Sequence, residues 1–119
     1  MSTTAIAATN AYRKKVAQAA ATGGALPKIS HLAFGTGDRP YELDDTGLHQ
    51  QFLVVAAQTT VAGVLVTAKA VLTGVQLGQR TLREVGVLAQ DGTLLGRRVL
   101  LPKQLEPEAQ IEFELTFQY

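Results

Sequence analysis

Thr81-Leu82-Arg83-Glu84-Val85-Gly86-Val87-Leu88-Ala89-Gln90, then Asp91-Gly92, then Thr93-Leu94-Leu95-Gly96-Arg97-Arg98-Val99-Leu100-Leu101 is the stretch that decides the fold. Two runs rich in Val and Leu flank an Asp-Gly pair. A two-residue hairpin turn needs positive φ at its centre, which Asp and Gly accept at low cost, so the stretch predicts a β-hairpin. Pro102 lacks an N–H and stops the second arm. A lone hairpin is marginal in water and requires further strands or a helix to cover its apolar face.

The rest of the chain supplies them. Downstream, Lys103–Ala109 is a polar loop. Ile111, Phe113, Leu115, Phe117 and Tyr119 then alternate with Glu112, Glu114, Thr116 and Gln118, a half-buried strand with one wet, acidic face. Upstream, Phe52–Thr60 and Val61–Thr73 are rich in Val and Thr and read as two strands. No residue announces the turn between them, which falls within Gln58–Gly63. Gly74–Gln79 reads as a loop. Lys28–Phe34 is a further strand with apolar residues on both parities, so it is partly buried on both sides. A short helical turn is predicted near Asp45–Gln50, capped by Asp44 or Asp45. Asn10–Thr22 is Ala-rich, with Tyr12, Val16, Ala19 and Ala20 at helical spacing. Thr9 or Asn10 caps its start and Gly23-Gly24 ends it. Residues 1–8 read as a flexible arm. The expectation is one domain, 1–119, of α+β class: an N-terminal helix packed on a mostly antiparallel β-sheet of about six strands.

Composition narrows the function. The 119 residues are 46% hydrophobic, with mean hydropathy +0.10 and no cysteine. Disulfides, thiolate metal sites and cysteine nucleophiles are excluded. The chain shows neither a signal peptide nor a run long enough to span a membrane, so no membrane partner is expected. Net charge is +1, but in blocks: residues 1–37 carry +4, 38–45 carry −3, 46–103 carry +4 and 104–119 carry −4. Such blocks pair one subunit's end with another's when they are not simply solvated faces.

Catalytic and binding motifs are sparse. His31 and His49 are the only histidines and share no ligand spacing. Asp38, Glu42, Asp44 and Asp45 do not follow the spacing of a calcium loop. Gly35-Thr36-Gly37 follows a strand, yet the third glycine of a dinucleotide loop is missing and Asp38 repels phosphate. Ser2 and Ser30 lie outside any nucleophile elbow. Glu112 and Glu114 share a strand face and serve as its exposed side, with Arg97-Arg98 reaching across to them. Nothing converges on a nucleophile, a base and an oxyanion site, so the chain reads as a non-enzyme with no cofactor and no metal. Arg13, Lys14, Lys15 and the arginines at 80, 83, 97 and 98 lack the interleaved aromatics of a nucleic-acid surface. Leu94, Leu95, Val99, Leu100 and Leu101 exceed what a small sheet needs, and some are expected to be subunit contacts.

Two segments together resemble the phage tail-collar fibre family. Thr9-Asn10-Ala11 opens a basic, Ala-rich helix, followed by Ile29-Ser30-His31-Leu32-Ala33-Phe34-Gly35-Thr36-Gly37-Asp38; Thr81–Gly92 resembles that family's "-IREIGLFDADG-" hairpin. Order and spacing agree across roughly residues 9–119. The Gly35–Asp38 turn departs from the family's acidic-glycine arrangement. The resemblance implies an N-terminal, baseplate-attaching domain: a structural virion component of a phage or prophage tail, assembled in the host bacterial cytoplasm. It brings no catalytic residues. Baseplate or other tail proteins are the implied partners, together with a homo-oligomer in which a trimer is favoured. The contact residues expected on charge are Arg13, Lys14 and Lys15 on the helix and Asp38, Asp44 and Asp45 in the loop. A tail terminator or collar component is a neighbouring alternative, and a small-ligand-binding domain a more distant one.

Overall fold

A computed structural model describes residues 6–119. Helix α1 (Asn10–Thr22) starts at the Thr9 cap, whose Oγ1 accepts from Tyr12 N at 3.1 Å. It ends at Gly23, which takes the left-handed conformation at φ 73° and returns its N–H to Ala19 O at 2.8 Å. Both ends follow the sequence reading. Of its thirteen residues only Tyr12 is buried, so the helix lies on the molecule rather than in it.

Strands β1 (Ile29–Gly35), β2 (Gln51–Ala56), β3 (Gln58–Ala62), β4 (Leu65–Thr73), β5 (Leu82–Ala89), β6 (Leu94–Lys103) and β7 (Gln110–Gln118) follow. The fold is α+β, as the pattern predicts, and its strands fall into two antiparallel sheets of order β2-β1-β5-β6 and β3-β4-β7. The predicted hairpin joins β5 to β6, but not through a two-residue turn: Gly92 N–H bonds Ala89 O and Ala89 N–H bonds Thr93 O, both at 2.9 Å, around Gln90-Asp91-Gly92, and only Gly92 takes positive φ, at 90°. Between β4 and β5 the predicted loop contains a single helical turn, α2 (Gly74–Leu77), stabilised by a Thr73–Gln76 capping box. The turn expected within Gln58–Gly63 lies one residue further on, at Gly63-Val64, with Gly63 at φ 61°; Gln58–Ala62 is itself strand, and the single strand expected over Phe52–Thr60 is divided between β2 and β3 in different sheets. No helix forms over Asp45–Gln50. Instead Asp45 closes a turn: its Oδ2 accepts from Glu42 N at 3.1 Å and its N–H donates to Glu42 O at 3.0 Å.

The sheets bury one core between them. Leu32, Phe34, Leu82 and Leu95 meet Ala68, Leu72, Phe113, Leu115 and Phe117, and the Phe34 and Phe113 rings lie 5.4 Å apart. The chain closes the layers on both sides. On one, β2 passes into β3 through Ala57, whose N–H bonds Ser30 O at 2.9 Å, so one extended run changes sheet. On the other, Ile6 N–H bonds Thr116 O of β7 and Thr9 N–H bonds Leu95 O of β6, both at 2.8 Å. Residues 6–8 of the predicted arm are thus stitched between two strands, and residues 1–5 lie outside the described residues. Gly96 is required beside this seam, since a Cβ there would lie 2.7 Å from the Phe117 ring and 3.0 Å from Ile6.

Leu94 and Leu95, expected among subunit contacts, are core residues, whereas Val99 and Leu101 of the same strand are exposed.

Candidate functional site

Three regions concentrate chemistry. The first is a buried ionic knot beneath the loop 36–50. Glu84 points inward from β5 and is fully buried. Its Oε1 accepts from His49 N and from Arg97 Nε, each at 2.7 Å; its Oε2 accepts from Gln50 N at 2.7 Å and Gly37 N at 2.8 Å. Burial alone pushes the Glu84 carboxyl up; the three backbone N–H groups and the Arg97 guanidinium outweigh it and hold the group below its ordinary value. Asp45 is also buried, accepts from Arg39 Nη1 at 2.8 Å and lies 3.7 Å from Arg97 Nη1. Burial again works against a low value, and the Arg39 and Glu42 hydrogen bonds and the nearby cations prevail. Both Nη atoms of Arg97 are buried without a hydrogen bond. Every other partner in the knot belongs to a strand or to the loop, so its work is to hold residues 36–50 against the sheet. Arg97 was expected to reach Glu112 and Glu114. It does not, because β6 lies in the other sheet; Lys69 on β4 stands beside both glutamates at 3.7 and 3.6 Å.

The second region is an apolar groove of about 520 Å³ between α1 and the end of β7. Tyr12, Val16, Leu43, Phe117 and Tyr119 line it, and Arg13 stands on its rim. The Tyr12 and Tyr119 hydroxyls bond each other, and the rings meet edge to face with centroids 6.0 Å apart. Burial and this partner raise the Tyr12 hydroxyl pKa, so it is a neutral hydrogen-bonding group at any physiological pH. A smaller groove of about 310 Å³ lies on the other side of the same tyrosine pair, lined by Leu26, Pro27, Ile29, Thr59 and Val66 among others.

The third region is the β3–β4 hairpin. All five residues of β3 are exposed. Val61 is 73% and Val64 56% accessible, and β3 is the outermost strand of its sheet.

The predicted contact residues separate on this map. Arg13 and Lys14 are exposed on α1, and Arg13 borders the groove. Lys15 donates to Asp91 Oδ2 at 2.7 Å, which ties the helix to the β5–β6 turn and depresses the Asp91 carboxyl. Asp38 is exposed. Asp44 accepts from Asn10 Nδ2 at 2.7 Å and holds the loop to the helix start. Asp45 is inside the knot, inaccessible to a partner. The groove and the exposed hairpin escaped the sequence reading, although a small-residue helix face and a Val-rich, uncharged stretch were visible in it. Among the described residues no group of three or more His, Asp or Glu side chains is placed to hold a metal ion, and no helix is long and apolar enough to cross a membrane. Comparison with protein-family models, curated proteins and solved structures finds no match.

Proposed function

We propose that the chain is a non-enzymatic assembly domain of a phage tail or tail-like particle, attaching a tail fibre or fibre adaptor to the baseplate through protein–protein contacts. The observation that carries the reading is the groove between α1 and β7. Its lining is mostly apolar, its polar groups are the tyrosine pair, Gln118 and the rim Arg13, and the exposed basic face of α1 flanks it. An apolar groove with a charged rim suits a protein segment better than a small polar substrate: the floor supplies desolvation, and Arg13 and Lys14 set orientation and encounter rate. The family resemblance carried by residues 9–38 and 81–92 supplies the particle. The domain works there as a homo-oligomer that repeats each weak contact.

The test is incorporation into particles. Arg13→Glu with Lys14→Glu reverses the rim, and Val16→Asp spoils the floor. Each is introduced into the phage or prophage, and the purified particles are weighed for this chain by quantitative mass spectrometry. Loss of the chain from particles, with unchanged melting of the isolated domain, is the expected result. Full incorporation of both variants would overturn the groove as the attachment surface; absence of the wild-type chain from particles would overturn the tail reading itself.

A further inference from the structure

An antiparallel strand exposes its unpaired backbone groups on alternate residues, and the turn position fixes which ones. In the β3–β4 pairing Ala62 faces Leu65 across the two-residue Gly63-Val64 turn, Thr60 faces Thr67 and Gln58 faces Lys69. In such a hairpin the residues flanking the turn exchange both backbone bonds, and every second pair repeats this. The N–H and C=O of Thr59 and Val61 therefore point away from β4, out of the sheet edge.

Four strands lie outermost in the two sheets. Two of them, β6 and β7, carry a blocking device. β6 bears Arg97, Arg98, Pro102 and Lys103 and receives Thr9 N–H at Leu95. β7 bears Glu112 and Glu114 and receives Ile6 N–H at Thr116. β2 likewise has no charge and no proline, but half its residues are partly buried and Arg80 lies across its Phe52 ring, 4.8 Å from the centroid. β3 has none of these: Gln58-Thr59-Thr60-Val61-Ala62 contains no charge and no proline, and both its faces are exposed. Soluble proteins guard free edges with such devices because a bare edge is a template for another strand.

We propose that β3 pairs with β3 of a second copy of this chain, antiparallel about a twofold axis at Thr60. The chemistry selects this occupant. An uncharged strand meeting itself places no like charges opposite each other. Of the four outermost strands β3 is the one with neither a charge, a proline, a bond from another segment nor a cation laid across it, and self-pairing of one edge is isologous, so the contact closes at two copies. Register follows from the exposed groups. Thr59 exchanges backbone bonds with the partner copy's Val61 and the reverse, while the two copies of Thr60 face each other. Val61 lies on the core-side face of its sheet, in register with Val66, and pairing covers much of its exposed surface. The two three-stranded sheets become one of six. If three copies also gather through another surface, the twofold contact joins two such rings, so the assembly holds an even number of chains in either case.

The absence of cysteine makes the test direct. A pair without backbone bonds brings Cα atoms to about 4.5 Å, inside the span of a disulfide. Thr60→Cys should therefore form a two-chain disulfide on mild oxidation, while Val75→Cys, exposed elsewhere on the molecule, should not. Val61→Pro removes one outward N–H, which the single chain does not use. It should halve the solution mass measured by light scattering and leave the circular-dichroism melt of the domain in place. Thr60→Lys, which sets two ammonium groups face to face, should do the same and provides a second reading if the proline variant is unstable. The proposal is overturned by a monomer or an odd-numbered wild-type mass, by Val61→Pro and Thr60→Lys both retaining the wild-type mass, or by Thr60→Cys cross-linking no faster than Val75→Cys. These readings use the isolated protein, so their failure is separate from failure of particle incorporation.

Discussion

The loop-and-knot side of the molecule and the β3–β4 hairpin treat polar groups in opposite ways. Under the loop 36–50, Glu84 collects four donors and Asp45 two, so the carboxylates are saturated from within the chain. Along β3 and its turn, by contrast, backbone donors and acceptors and two valines, Val61 and Val64, are left to solvent. A region that satisfies its own chemistry is a scaffold; one that leaves directional groups and apolar area unmet is suited to a partner. Charge alone does not separate the two roles: Asp45 belongs to the structural cluster, Arg13, Lys14 and Asp38 stay on the surface, and the edge proposed to pair carries no charge.

The largest expected effect breaks the scaffold. Glu84→Ala leaves Arg97 buried beside a single carboxylate, at 3.7 Å, and three loop N–H groups without an acceptor. Removing one partner of a buried pair costs about 3–5 kcal/mol, so urea denaturation should show a loss of that order. Arg97→Met should cost less than Glu84→Ala, since it removes a cation whose Nη atoms already lack hydrogen bonds. Equal losses would show that the knot acts through the ion pair alone and that the loop bonds contribute little.

Next comes the packing that shapes the knot. A Cβ on Gly35 would stand 2.5 Å from Glu84 Oε2 and 2.6 Å from Gln50 O, one of them backbone. Gly35→Ala should therefore destabilise by about 1–3 kcal/mol through forced displacement of the carboxylate. Gly63→Ala on the hairpin meets no atom within 4 Å, so its cost should come only from the positive φ of 61°. The ratio of the two losses, read from denaturation midpoints, sharpens the contrast between a crowded region and an open one.

Most of the architecture was legible because it rests on local rules. Thr9, and not Asn10, caps the helix start and Gly23 its end, and Gly92 marks the β5–β6 turn by its positive φ. What could not be read was long-range. The division into two sheets depends on Ala57 bonding Ser30, and nothing at Ala57 marks a sheet change. Glu84 looked like one charge of an alternating strand; its role rests on N–H groups from residues 37, 49 and 50, far off in sequence. The same distance hid the groove, which joins residues near both ends of the described chain. Asp45 showed the reverse failure: read as surface charge, it is 6% exposed.

Acid separates the two regions without any mutation. Glu84 and Asp45 both have folded pKa values below their ordinary values of 4.5 and 3.8. A carboxyl depressed in the folded state contributes stability that is fully present above its unfolded pKa and is lost as pH falls through the folded one. Stability should hold down to the ordinary carboxylate range and then decline steadily with further acid, as the knot takes up protons. The β3 pairing contains no titratable side chain, so the solution mass should stay constant over that range for as long as the fold survives. A mass that drops before the melting temperature does would place a carboxylate in the pairing and contradict the proposed register.

The smallest expected effect is also the most discriminating for the hairpin. Val61→Thr keeps the branched Cβ, and with it the preference for a strand, while exchanging one methyl for a hydroxyl. In the single chain Val61 is 73% accessible, so the change should alter folding stability by no more than about 0.5 kcal/mol. In the paired state the same side chain is covered and the added hydroxyl loses hydration. The measurement is thermal melting of wild type and variant at two protein concentrations far apart. A folded pair gains stability with concentration by mass action, so the wild type should melt higher when concentrated. The variant should match the wild type when dilute and fall below it when concentrated. A deficit that is the same at both concentrations would mean that Val61 is buried within a single chain, and the contrast between scaffold and edge would fail at that residue.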